Sequence, residues 1–301
     1  MNNRKHYLAG ISAFLIWGFF SIPLRAIHDY FVGEILYFRI LFSAMILIVI
    51  VAGFKRKSLL ADWKKLWSLE RVHRRQIIQL TVAGALLLIV NWLTFIYIVT
   101  NINVKSASFS YMICPVITAV LGAWLLKEKL TSMQWVAVSL CTVSCVLIGM
   151  SSALELGYSF LTAVSYAMYL VSQRKNQGFD RIIVLSIQMI LCLLILSCFY
   201  PFLVHEIPSE FRFYGVISVI AGLFTVLALF LNLFALNRIN SATIGILLYL
   251  NPMLNFILAI FVFHEHIDLL QGVGYLVILV ALILFNLPVL SRLEGMRRQR
   301  A

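Results

Sequence analysis

The chain has 301 residues, 62% of them hydrophobic and only 12% charged, about half the charged share of a soluble domain. That composition excludes a water-soluble two-domain fold. The formal net charge of +12 would suggest nucleic acid in a soluble chain; here no nucleic-acid partner is expected, because the cations sort by membrane side instead.

Ten apolar blocks follow one another, each about 20 residues and so long enough to cross a bilayer as a helix. They are continuously apolar rather than alternating, which predicts helices and not a barrel. The first, about 8–27, is too long and too poorly terminated for a cleaved signal peptide and reads as a retained helix. The second, about 34–53, opens at Glu34 and carries Arg39. Between 54 and 76, Leu59, Leu60, Trp63, Leu66 and Trp67 recur at helical spacing among cations, the pattern of a short helix lying on an anionic inner leaflet. The third and fourth blocks, about 77–99 and 105–126, are followed by "KEK" at Lys127–Lys129. The fifth to eighth run over about 132–150, 153–172, 182–203 and 213–236. The ninth, about 242–263, ends in "HEH" at His264–His266, and the tenth, about 269–288, is followed by a basic tail. All five cysteines lie inside blocks and read as small packing residues without a disulfide framework. Cys141 and Cys145 are one turn apart, but no His or carboxylate joins them, so no metal site is expected.

With the N-terminus inside, 20 of the 24 lysines and arginines fall in cytoplasmic segments, as the positive-inside rule requires. Lys105 and Arg212 fall outside, while Arg25 and Arg39 lie within or at the edge of helices. Both termini are therefore expected in the cytoplasm.

The chain also repeats itself. Shifted by 137 residues, the stretch from Asn101 aligns without a gap on the stretch from Arg238: Asn103 meets Asn240, Pro115 meets Pro252, Glu128 meets Glu265 and Gln134 meets Gln271. Each copy holds five predicted helices, over 1–150 and 151–301. Five is odd, so the second half crosses the membrane upside down, the inverted-repeat plan of many secondary transporters. Pro115 and Pro252 are predicted mid-helix, where each removes a backbone donor and disturbs the bond to the residue four back; both are candidate kinks lining a central cavity. Glu128 and Glu265 are read as structural caps, each just before the last helix of its half and able to accept from its free N–H groups. On this reading Lys127 and Lys129 face the cytoplasm, and His264 and His266 stand outside, where lysine is avoided.

Several stretches resemble one family. "YLAGISAFLIWGFFSIPLRAI" and "GEILYFRILFS" are similar to the first two helices of the RarD-type permeases. "VNWLTFIYIVTNINVKSASFSYMICPVITAVLGAWLLKEKL" is similar to their third and fourth, and "LFALNRINSATIGILLYLNPMLNFILAIFVFHEHI" to the matching pair in the second half. These permeases form part of the EamA-like branch of the drug/metabolite transporter superfamily. The resemblance implies ten helices in two inverted halves and a bacterial inner membrane. One departure is Cys114 before Pro115, where the family often has Asn; the second half keeps Asn251 before Pro252.

A buried ionisable group in a span is costly and usually functional. Arg39 is about 7–8 Å of helical rise in from Glu34 and suits a substrate carboxylate or phosphate; its competing role is to snorkel outward or lock helices. Arg25 reads as interfacial. Trp17, Asn91, Trp92, Tyr97 and Tyr111 in the first half, and Tyr166, Tyr169, Asn232, Tyr249, Asn251 and Asn255 in the second, are candidates to stack on and hydrogen-bond an organic solute. Helix packing is the alternative role for each. All twelve acids lie near helix ends or in loops, so a central carboxylate proton relay is not expected. Neither a nucleophile–base pair nor a phosphate loop appears, which argues against an intramembrane enzyme and leaves no cofactor to bind. The preferred reading is a secondary transporter of a small metabolite or drug using alternating access. A non-transporting membrane chaperone or receptor is the other alternative.

Overall fold

A computed structural model describes residues 4–126, 130–176, 178–236 and 247–298. Glu128, Lys127, Lys129, Arg238 and Asn240 lie outside the described residues. Among the described residues every regular element is helical. Seven stretches are long and apolar enough to cross a membrane: Lys5–Arg25, Val32–Ser68, Arg71–Ile102, Val104–Leu125, Ala153–Gln173, Arg181–Cys198 and Phe211–Asn232. Three shorter apolar helices, Ser132–Leu147, Leu250–Phe261 and Leu269–Phe285, occupy the other predicted blocks. Large aliphatic side chains face outward, Val49, Leu194, Leu276 and Ile283 among them, as a lipid-facing exterior allows and a soluble one does not.

The elements in chain order are α1 (Arg4–Gly18), α2 (Ser21–Arg25), α3 (Val32–Ile50), α4 (Arg56–Ser68), α5 (Arg71–Tyr97), α6 (Val104–Leu126) and α7 (Ser132–Ser151). Then come α8 (Ala153–Lys175), α9 (Arg181–Cys198), α10 (Tyr200–Leu203), α11 (Phe211–Val219), α12 (Ala228–Leu236), α13 (Leu250–Phe261) and α14 (Leu269–Arg298). Wider π-helical turns at Val51–Lys55, Ile98–Ile102 and Ile220–Leu227 link α3 to α4, extend α5, and join α11 to α12.

Prolines set the breaks. The first block is two helices because Pro23 has no N–H for the carbonyl of Phe19, and the chain turns at Phe19–Phe20. Pro115 sits inside α6, as expected. Pro252 lies in the first turn of α13, and the helical run is interrupted at Tyr249, beside the Leu248 carbonyl that Pro252 has no N–H to meet, as expected. The first turn of a helix tolerates proline because its N–H groups have no partner there in any case.

The 54–76 segment forms α4 as predicted, but α4 is continuous with α3 rather than separate. Trp63 and Trp67 are exposed on it, with ring centroids 5.8 Å apart.

Helices pair as α3 with α9, α6 with α13, and α7 with α14; α8 packs on α5 and α6; α13 and α12 pack on α1; and α9 also meets α5, as α3 meets the 220–227 turn. Close approach fixes some of these pairs. A Cβ on Gly18 would fall 2.6 Å from Leu254 Cδ1, so α1 and α13 touch through bare backbone.

Polar contacts close the bundle at both ends. At one end Glu265 accepts from the backbone N–H groups of Val104 (2.7 Å) and Lys105 (2.9 Å) and pairs with Arg25 at 2.9 Å. Asn103 accepts from Ser106 N–H at 2.7 Å, so the first three free N–H groups of α6 are all satisfied. This corrects the predicted role of Glu265. It is a helix cap, but for α6, more than 150 residues back, and not for α14 just ahead. The reason is local: His264 takes φ 51 and turns the chain away from the helical path. "HEH" therefore lies in a non-helical loop, not along a helix face. In the first half Gln134 caps the turn into α7, its side chain accepting from Thr131 N–H at 2.9 Å, one arm of a capping box.

At the opposite end Lys55 meets Asp180 at 2.7 Å, and Asp62 of α4 accepts from the Asp180 N–H at 2.8 Å. Lys65 reaches the carbonyl of Gly178.

Candidate functional site

The wide turn at 220–227 builds the centre of the molecule. Its looser pitch lets Thr225 Oγ1 donate to the carbonyl of Ile220, five residues back, at 3.0 Å. The same oxygen accepts from Arg39 Nε at 2.9 Å. Single π-turns of this kind recur at functional positions. Arg39 itself is 2% exposed. Its guanidinium lies between Phe20 and Trp92, 4.8 Å and 4.5 Å from their ring centroids, a cation–π sandwich. Nη1 has no hydrogen-bond partner. Arg39 therefore neither snorkels nor meets a carboxylate.

The space beside Arg39 is walled by Phe14, Trp17 and Phe20 from the first block, and by Leu88, Trp92 and Phe95 from α5. Tyr111 of α6, Tyr166 of α8, Phe224 and Leu229, then Leu248 and Asn251 complete it. Residues before and after position 150 thus share one cavity. Its free volume is about 40 Å³, room for water-sized groups and too little for an organic ring.

Of the predicted residues, Arg39, Trp17, Trp92, Tyr111, Tyr166 and Asn251 meet at this wall. Trp17 donates its indole N–H to the carbonyl of Phe224 at 2.8 Å. Asn91 and Asn255 stand one layer behind. Asn91 accepts from Tyr111 at 3.2 Å and donates to the carbonyl of Thr162 at 2.9 Å. Asn255 donates to Asn251 Oδ1 at 2.7 Å. Tyr169 stacks on Tyr166 at 6.0 Å and donates to Gln188. Tyr97 is outside the wall, paired with Tyr158 at 4.7 Å, and Asn232 and Tyr249 are buried elsewhere in the bundle. Arg25 is not simply interfacial, since it is held by Glu265 and lies 5.5 Å from the Phe263 ring centroid.

Sequence reasoning missed Thr225 and the phenylalanines. A threonine inside an apolar block carries no signal of its own. Phenylalanines are too common in such a chain to single out. No group of three or more potential metal ligands is found among the described residues.

The model of the EamA-like transporter family matches residues 4–150 and again 154–287. The chain is 28% identical to an uncharacterized transporter of Pseudomonas aeruginosa, over 95% of this chain and 94% of that one. It is also 28% identical to protein RarD of Escherichia coli, over 94% of each chain. A solved crystal structure aligns over 95% of this chain and 98% of its own, with a TM-score of 0.59 at 15% identity, a likeness of fold.

Proposed function

The chain belongs to the EamA-like transporter family, and from that premise we propose a secondary transporter that moves a small organic metabolite or drug across a bacterial inner membrane. It does so by alternating access. Ten spans form two five-helix halves, 1–150 and 151–301, inserted in opposite senses, with both termini in the cytoplasm.

The observation that carries the reading is the shared cavity. One buried cation and eight aromatic rings converge there from both halves, where inverted-repeat carriers hold their solute. The helix pairing supports equivalence of the halves. Count the spans as α1–α2, α3, α5, α6 and α7, then α8, α9, α11–α12, α13 and α14. Adding five to each member of every principal pair returns another principal pair or the same one. The family model matching twice, once per half, points the same way.

Arg39, Trp17, Trp92, Tyr111, Tyr166 and Asn251 contact the solute; Asn91 and Asn255 orient Tyr111 and Asn251. Pro115 and Pro252 mark where spans four and nine flex. Glu34 and Glu155 sit in the first turns of α3 and α8 and Glu265 in the loop before α14, so coupling does not run through a central carboxylate. The partners are the solute and the anionic inner leaflet, on which α4 lies.

The test is flux into proteoliposomes from a panel of labelled metabolites and drugs. Saturable uptake with counterflow is expected for at least one solute. A folded protein that moves none of them refutes the transport reading. An alkaline phosphatase fused after Ala301 should stay inactive in cells, and activity there would overturn the orientation.

A further inference from the structure

We propose that the cavity selects a planar aromatic monoanion, an aryl carboxylate whose carboxylate sits on Arg39 Nη1 and whose ring takes the place of the aromatic wall around it. This deepens the transport reading and rests on it for the site's access to solvent.

Three observations converge. First, Arg39 is almost fully buried and Nη1 has no partner, while Nε is already spent on Thr225. A guanidinium is always charged and offers forked donors matched to a carboxylate. Held in apolar surroundings with Nη1 free, it favours an incoming oxyanion.

Second, the described lining sets one cation among neutral polar groups. Asn251 has its Oδ1 engaged by Asn255, which leaves its Nδ2 as the group able to bond a ligand. Tyr111 gives its proton to Asn91, which fixes the ring and leaves its oxygen as an acceptor beside the guanidinium. Among the described residues the lining holds no acid. A monoanion therefore neutralises the site, a dianion leaves surplus charge, and a zwitterion leaves an ammonium with no carboxylate to meet.

Third, the rest of the wall is rings and leucines. The body of the ligand is therefore flat and apolar, able to stack and meet ring edges. In the closed arrangement the free volume of about 40 Å³ holds a carboxylate-sized group only. The ring is admitted as the two halves part, so binding and opening are linked.

The experiment is calorimetric binding to the full-length protein in detergent. Benzoate and indole-3-acetate are compared with their neutral amides, with phenylalanine, and with acetate and chloride. The carboxylates are expected to bind at least tenfold more tightly than the amides, phenylalanine, acetate or chloride. That comparison uses only the wild type and needs no variant to fold. Arg39→Gln should erase the preference for carboxylate over amide, and Arg39→Lys should restore part of it. Equal binding of acid and amide, equal binding of acetate and benzoate, no binding of either aryl acid, or a preference that survives in Arg39→Gln would each overturn the proposal. Flux separates the two claims. Aryl-acid binding with uptake of no solute in the panel refutes transport and leaves the site assignment standing. Uptake of neutral solutes with no acid preference does the reverse.

Discussion

At the scale of single residues, the polar groups that matter are those whose partners come from far along the chain. Thr225 is the clearest case. Its hydroxyl accepts from Arg39 and donates to Ile220, so it joins a buried charge to a widened turn. Thr225→Val keeps the shape and removes the acceptor, leaving Nε unpaired as well. The cost of leaving such a donor unsatisfied is about 1–3 kcal/mol. A fall in thermal midpoint in detergent is expected, with uptake reduced more than in a neighbouring conservative change such as Val226→Ile. An unchanged midpoint would mean that Arg39 finds another acceptor. Glu265 can be divided in the same way. Glu265→Ala strands the N–H groups of Val104 and Lys105 and frees Arg25. Loss of a cap alone costs about 1 kcal/mol, so Ala should destabilise by more than that, and Glu265→Gln, which keeps one acceptor oxygen, by less. Arg25→Ala measured alone and with Glu265→Ala gives the coupling of the pair, expected near 1 kcal/mol for a half-buried ion pair.

At the scale of elements, close packing and proline breaks give sharper tests. Gly18→Leu forces a branched side chain into Leu254 on α13. Overpacking of this kind costs about 1–3 kcal/mol, visible as a lowered midpoint, and a stable, active Gly18→Leu would show that α1 and α13 separate easily. Pro115→Ala returns a backbone donor to the middle of α6. Higher thermal stability with slower uptake is expected if the break is used in transport; unchanged uptake would reduce Pro115 to a packing feature. Much of this level was readable in advance. Block lengths placed nearly every helix, because a 20-residue apolar run in lipid has few other solutions. Arg39, Trp92 and Tyr111 were legible as polar or aromatic groups inside such runs. The layering was not: nothing in the order of residues says that Asn251 faces the cavity while Asn255 stands behind it, since both lie on one helix a turn apart. Glu265 was recognised as a cap, but the helix it serves depends on the left-handed turn at His264 and on the packing of α6 against α13. The widened turn at 220–227 left no mark in an apolar stretch whose composition suits any helix.

At the scale of the whole molecule, the two ends are closed by different kinds of contact. One is the Arg25–Glu265 pair with its capped helix; the other is the Lys55–Asp180 pair braced by Asp62. The proposed alternating access requires each to open while the other holds. Lys55→Ala should therefore raise the reactivity of a cysteine placed at Phe14, in a chain whose own cysteines are replaced, toward an impermeant thiol reagent applied from that end. Glu265→Gln should not raise it from that side. Equal labelling of both variants would show that these pairs do not set the opening. The cap on α6 also has a consequence in time. The three N–H groups that begin α6 depend in part on a carboxylate 160 residues later, which a ribosome adding about 5–20 residues per second delivers about 8–32 seconds after them. During biogenesis the first half thus waits in the bilayer with a helix end unfinished, and it is completed only by the arrival of the second.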